Sequence, residues 1–276
     1  MTWGIWGKNF NQNQMIEMIN VCLENNISTF DHADIYGGYT TENSFGQAFY
    51  NSKIDREKIQ LISKCGIQSV EERDNKIKHY NYSKDYIIWS VENSLKNLKT
   101  DYLDTLLLHR PSPLMQADEI AEAIGKLTSE GKIKSFGVSN FTPIQTELIN
   151  QKINVEYNQI QFSATHLEPM LDGSLDFMQI HNIKPISWNP LGNIFKENNA
   201  QNQRLKSLLS SLESKYNVSI DVLLLAWIMQ HPSGILPVIG TTNLDRIKNA
   251  TNAISLKLEL EDWFAIWSES CGFKVP

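Results

Sequence analysis

Cysteine is scarce in this chain of 276 residues: Cys22, Cys65 and Cys271 are few, odd in number and far apart. That excludes a disulfide framework and a C-x-x-C metal pattern, and it suits a reducing, cytoplasmic setting. Basic clusters are missing too. Lys and Arg number 25 against 31 Asp and Glu, the formal net charge is −6, and no helical pattern carries a Lys/Arg patch. Neither nucleic acid nor an anionic membrane is therefore expected as a partner. The longest strongly apolar run, Val222 to Met229, is far too short to span a bilayer. The start, MTWGIWGKNFN, has no basic region, apolar stretch and small-residue cleavage site, so no secretory signal is expected. The six histidines show no H-x-x-x-H or comparable spacing, and no metal is expected.

What is present describes an ordinary globular enzyme-sized chain. Hydrophobic residues make up 41% and charged residues 20%, enough for a sizeable core. No linker divides the chain, so residues 1–276 are expected to form one domain. One pattern recurs: a short β-branched or apolar run, a few turn residues, then an amphipathic helical stretch. The strand candidates are 2–6, 28–31, 60–64, 105–109, 135–139, 159–162, 185–188 and 236–239. Helical patterns lie near 13–26, 41–51, 84–98, 117–130, 142–150, 173–182, 219–230 and 243–253, with a last helix near 259–268. Ser83 and Asp118 suit helix N-caps and Gly131 a helix stop. Eight strands alternating with eight helices imply an α/β fold, either a closed (β/α)8 TIM barrel or a doubly wound sheet. Residues 65–82 and 193–204 are predicted as long polar loops.

The densest chemical signal is DHADIYGGY at 31–39. Asp31 ends the second predicted strand and Tyr36 lies in the loop after it. The third predicted strand ends in Lys64 and the fourth in His109. Each alone is commonplace. Three adjacent strand ends carrying Asp, Lys and His beside a loop tyrosine are not, because barrel active sites are assembled from several strand ends. A free tyrosine has a pKa of about 10, and a nearby ammonium favours its ionised form. Asp31 would keep a buried lysine charged. His109 could hydrogen-bond a carbonyl oxygen. Such a set delivers a proton to a developing alkoxide, and the hydride must come from a cofactor.

D-x-x-x-x-Y, then K, then H, each at a strand end, resembles the catalytic tetrad of the aldo-keto reductases. The likeness covers essentially the whole chain and is nearest to a YdhF-like bacterial branch, with DHADIYGGY, SKCG and LLLHRP in common. The resemblance implies NADPH/NADP+ as cofactor, a small-molecule carbonyl substrate and a monomer. It makes Tyr36 the general acid, Lys64 the group that lowers its pKa, Asp31 the partner of Lys64, and His109 the residue that polarises the carbonyl. Ser139, Asn140 and Gln159 would hold the nicotinamide carboxamide, and Trp188 would stack on the ring. Asn189, Leu191 and Gly192 would run along the pyrophosphate. Thr241 and Arg246 would meet the 2′-phosphate, aided by the N-terminus of the following helix, and Asn249 the adenine. Trp6, Tyr80 and Arg110 are expected in the substrate pocket.

Two departures from the family pattern matter. Gly240 stands where many members carry a basic residue, which weakens the expected preference for NADPH over NADH. The hairpin that usually precedes the first strand and closes the barrel floor is missing from this sequence. Two other functions fit parts of the pattern: a non-catalytic NADPH-binding redox sensor, and a Schiff-base lyase using Lys64. The intact tetrad speaks against the first, and an Asp31–Lys64 pair against the second, which needs an uncharged lysine.

Overall fold

Residues 2–70 and 73–274 are described by the structure, a computed structural model. The chain divides into two compact units, Met1–Asn158 with Gly240–Leu244, and Gln159–Ile239 with Asp245–Pro276.

In the first unit α1 (Gln12–Glu24) starts at a reciprocal cap. The Asn11 side chain accepts from the Gln14 N–H at 3.0 Å, and the Gln14 side chain accepts from the Asn11 N–H at 2.9 Å. There follow β1 (Thr29–Asp31), α2 (Tyr36–Tyr39), α3 (Thr41–Ser52), β2 (Gln60–Cys65), β3 (Ile67–Gln68), β4 (His79–Tyr80) and α4 (Lys84–Leu98). Then come β5 (Leu103–Leu108), α5 (Ala117–Ser129), β6 (Ile133–Ser139) and α6 (Pro143–Asn150). Strands β1, β2, β5 and β6 pair in parallel in that order, with Asp31 opposite Ile62, Lys64 opposite Leu107, and Leu108 opposite Val138. Residues 105–108 and 136–139 are buried, as expected of parallel strands covered on both faces. The first unit passes into the second along β7 (Tyr157–Gln161).

The second unit holds α7 (Glu168–Leu171), α8 (Ser174–Ile180), β8 (Lys184–Trp188), α9 (Ala200–Tyr216), α10 (Ile220–Met229), β9 (Leu236–Pro237), α11 (Leu244–Ala250) and α12 (Leu260–Cys271). β8 and β9 pair in parallel. α10 is buried on nearly all sides, and its Trp227 stacks on Phe162 and on Trp263 of α12. The two indoles exchange hydrogen bonds, each N–H donating to the other's carbonyl at 3.0 Å. Among the described residues no helix is long and apolar enough to cross a membrane.

Seven of the eight expected strands form. The exception is the first: residues 2–8 make turns rather than a strand. Their backbone groups bond locally, Gly7 N to Gly4 O at 2.9 Å and Lys8 N to Thr2 O at 2.9 Å, leaving no ladder to join. Trp3 is buried against Phe30 and Phe45. The expected loop at 193–204 runs instead into α9. Asn199 caps it, accepting from Asn202 N at 2.8 Å, and Leu205, Leu209 and Leu212 bury one face. The cap of α5 is Gln116 rather than Asp118, which sits in the first turn. Gly131 ends that helix at φ +70°, as expected.

Candidate active site

Asp31, Tyr36, Lys64 and His109 come together in the first unit. Beyond Asp31 the backbone keeps tracking β2: His32 N donates to Ile62 O at 2.8 Å and Asp34 N to Lys64 O at 2.9 Å. The chain then turns sharply through Gly37 and Gly38, both at φ +61°. Residues with a Cβ rarely adopt that conformation, and at Gly37 a Cβ would lie 2.4 Å from Thr41 Oγ1. This turn sets Tyr36 against Ala33, Ile35 and Ile67.

Lys64 is fully buried and its ammonium is the hub. Nζ donates to both oxygens of Asp31 at 2.8 Å, to His32 O at 2.7 Å and to the Tyr36 hydroxyl at 3.3 Å. Tyr36 therefore accepts from Lys64, and its own proton remains available to a third party. The His109 ring stands edge-on to Tyr36, with centroids 5.8 Å apart.

The electrostatics assign protonation states. Burial opposes the Lys64 ammonium, but Asp31 and Tyr36 together hold its pKa above the usual lysine value. Burial raises the Tyr36 phenol, and Lys64 pulls it back only in part. Lys64 thus lowers the Tyr36 pKa, as expected from the sequence, but burial outweighs it and the net shift is upward. Burial, then the charges of Lys64 and Arg110, push His109 well below the usual histidine value, so it is neutral at pH 7. A protonated phenol, a fixed cation behind it and a neutral imidazole beside it make a proton donor whose anion is stabilised in advance.

Residues that sequence reasoning passed over hold this set in place. The buried Tyr82 hydroxyl donates to Arg110 O at 2.5 Å and accepts from Arg110 N at 3.0 Å, pinning the backbone just after His109. Asp34 and Glu42 are buried carboxylates, raised by burial to about 6 and about 7. The D-I-Y spacing carried Asp34 in plain view, but nothing in a single sequence says that a loop aspartate is buried.

The other expected residues fall in both units. In the first, Ser139 ends β6, and Asn140, at φ +61°, donates to its hydroxyl at 2.8 Å. Thr241 Oγ1 accepts from Asn243 N at 3.2 Å. Trp6 is 61% exposed in the N-terminal turns, and Tyr80 is 37% exposed on the antiparallel β3–β4 pair. In the second unit Gln159 is buried on β7 and Trp188 ends β8. Asn189 and Gly192 both have positive φ, and Gly192 N donates to Asn189 O at 2.8 Å. A Cβ at Gly192 would sit 1.9 Å from Thr165 Oγ1, so this turn tolerates only glycine. Leu191 packs beside Val222, Leu225 and Ala226. Arg246 lies over the Phe195 ring at 5.9 Å, and Asn249 is exposed on α11.

A nicotinamide carboxamide needs both donors and acceptors. Ser139, Asn140 and Gln159 supply both, so the donor set fits that group.

Residues 1–268 match the family model described as the aldo/keto reductase family. The chain is 42% identical to the oxidoreductase YcsN of Bacillus subtilis, over 99% of this chain and 94% of that one. It is 39% identical to the oxidoreductase YdhF of Escherichia coli, over 99% and 93%. A solved aldo/keto reductase from Klebsiella pneumoniae, in complex with NADP and acetate, superposes with a TM-score of 0.79 at 23% identity, over 92% of this chain and 84% of that one, which shows a common fold.

Proposed function

Because this chain belongs to the aldo/keto reductase family, an NADP-dependent oxidoreductase family, we propose that it reduces an aldehyde or ketone to an alcohol with Tyr36 as proton donor. The observation that carries this reading is the single ammonium of Lys64, which bridges the Asp31 carboxylate at 2.8 Å and the Tyr36 hydroxyl at 3.3 Å. NADPH, when bound, supplies hydride to the carbonyl carbon. Tyr36 gives its proton to the carbonyl oxygen, and Lys64 stabilises the tyrosinate left behind. Asp31 keeps Lys64 charged. The neutral His109 donates a hydrogen bond to the same carbonyl oxygen and orients it. A Lys64 held as ammonium lacks the free lone pair a Schiff base requires, which disfavours the lyase alternative.

In this reading the fold is the family's (β/α)8 barrel. Ser139, Asn140 and Gln159 hold the carboxamide, and Trp188 stacks on the ring. The turn of Asn189, Leu191 and Gly192 faces the pyrophosphate. Thr241, Arg246 and Asn249 take the adenosine end. Trp6, Tyr80 and Arg110 line the substrate pocket.

Titrating the protein with NADPH and with NADH, followed by quenching of tryptophan fluorescence, tests the cofactor half of the proposal. Saturable binding, tighter for NADPH, is expected. Charge-assisted hydrogen bonds contribute about 1.5–3 kcal/mol, so Arg246→Ala should weaken NADPH binding by about 10- to 100-fold. NADH binding should barely change. If neither nucleotide bound folded protein, the reductase reading would fall. Equal weakening of both would remove Arg246 from the 2′-phosphate.

A further inference from the structure

Between Asp31 and Tyr36 lies one more acid, Asp34, which has no part in the tetrad. It is 7% exposed. Its Oδ1 accepts from the Ile35 N–H at 2.6 Å, and its Oδ2 accepts from the Ser90 hydroxyl at 3.1 Å and the Tyr86 hydroxyl at 3.3 Å. Its own N–H donates to Lys64 O at 2.9 Å. One residue thus ties the chain just before Tyr36 to the strand of Lys64 on one side and to α4 on the other. Behind it lies a cavity of about 200 Å³ whose lining includes Asp34, Tyr39, Glu42, Arg73, Trp89 and Asn97. The loop is therefore not wedged on that side by close-packed apolar side chains. Hydrogen bonds to Asp34 do that work instead.

We propose that Asp34 is a positioning residue for Tyr36: its ionised carboxylate, accepting three hydrogen bonds, fixes the 32–36 loop and with it the phenol beside Lys64. The inference rests on the reading of Tyr36 as proton donor. The charged and titratable groups around Asp34 are Glu42 on α3, Tyr86 on α4, Cys65 on β2, Arg73 from the loop after β3, and Tyr82 ahead of α4. Burial sets the Asp34 pKa at about 6, and the hydroxyl of Ser90 and the charge of Arg73 keep it from rising further. Once protonated, Oδ2 becomes a donor and at least one of the two hydroxyls must turn away. The loop then loosens, and proton delivery slows as pH falls through about 6.

The test is the single-turnover rate of NADPH oxidation with 4-nitrobenzaldehyde, measured from about pH 5 to about pH 8, together with amide hydrogen exchange over residues 32–39 at fixed pH. A misplacement of about 1 Å can cost about 100-fold, so a loosened loop is expected to cost at least about tenfold. The wild type should slow by that factor at the acid end. Asp34→Asn should be slow and flat across the range, with NADPH affinity unchanged and faster exchange over 32–39. Ser90→Ala removes a donor that favours the carboxylate, so it should move the acid limb to higher pH, and it keeps the inference testable where Asp34→Asn folds poorly. An Asp34→Asn enzyme with the wild-type rate and acid limb would overturn the inference. So would a rate reduced only in proportion to lost NADPH-binding protein, with loop exchange unchanged. Tyr36→Phe separates the two levels: if it keeps its turnover the proton-donor reading itself falls, whereas an inactive Tyr36→Phe beside a normal Asp34→Asn removes only the role of Asp34.

Discussion

Tyr36→Phe is expected to slow carbonyl reduction by about 10²- to 10⁴-fold, the range for loss of a general acid, while leaving NADPH binding nearly intact. At about 1.36 kcal/mol per decade, that is about 3–5 kcal/mol of transition-state stabilisation. The substitution removes one oxygen and keeps the ring, which packs against Ala33, Ile35 and Ile67, so the loop should hold its shape. What disappears is the proton whose conjugate base Lys64 is placed to stabilise at 3.3 Å. The loss should fall on the chemical step rather than on binding. Single-turnover rates beside a cofactor titration make that separation, and an enzyme retaining most of its turnover would sink the role of Tyr36.

Lys64→Met should cause a loss of similar size and also destabilise the fold. The Lys64 side chain is 0% exposed and that of Asp31 is 12% exposed. Removing one partner of a buried pair typically costs about 3–5 kcal/mol, mostly because the other charge is left unpaired. Asp31 keeps some access to water, which favours the lower end. Thermal unfolding should show the drop. The double variant Asp31→Asn with Lys64→Met has no orphan charge, and its melting temperature should recover while its turnover does not. Recovery of both would mean that Lys64 acts only through stability.

Much of this site was legible because the chemistry sits at strand ends. The runs ISTF, IQLIS and DTLLL announce buried parallel strands, and the polar residue closing each must emerge at one edge. The N-terminal turns misled because T-W-G-I-W alternates like a strand over too few residues to distinguish a strand from a buried tryptophan in a turn. α9 was hidden by its polar composition, although an Asn cap followed by leucines at 205, 209 and 212 marks a helix face. The net pKa of Tyr36 was beyond any pattern, since it depends on how deeply the ring is buried. The role proposed for Asp34 was out of reach for a related reason: its partners lie on α4, more than fifty residues away in the chain.

The proposed reaction turns on one step, the movement of hydride from NADPH to a carbonyl carbon. The most direct test supplies NADPH carrying deuterium at C4, on one face or the other, and examines the alcohol by mass spectrometry. A ring stacked on Trp188 presents a single face, so label should reach the carbinol carbon from one of the two deuterated cofactors and not from the other. Unlabelled alcohol from both, or no alcohol from any aldehyde or ketone offered to folded, NADPH-binding protein, would contradict the claim.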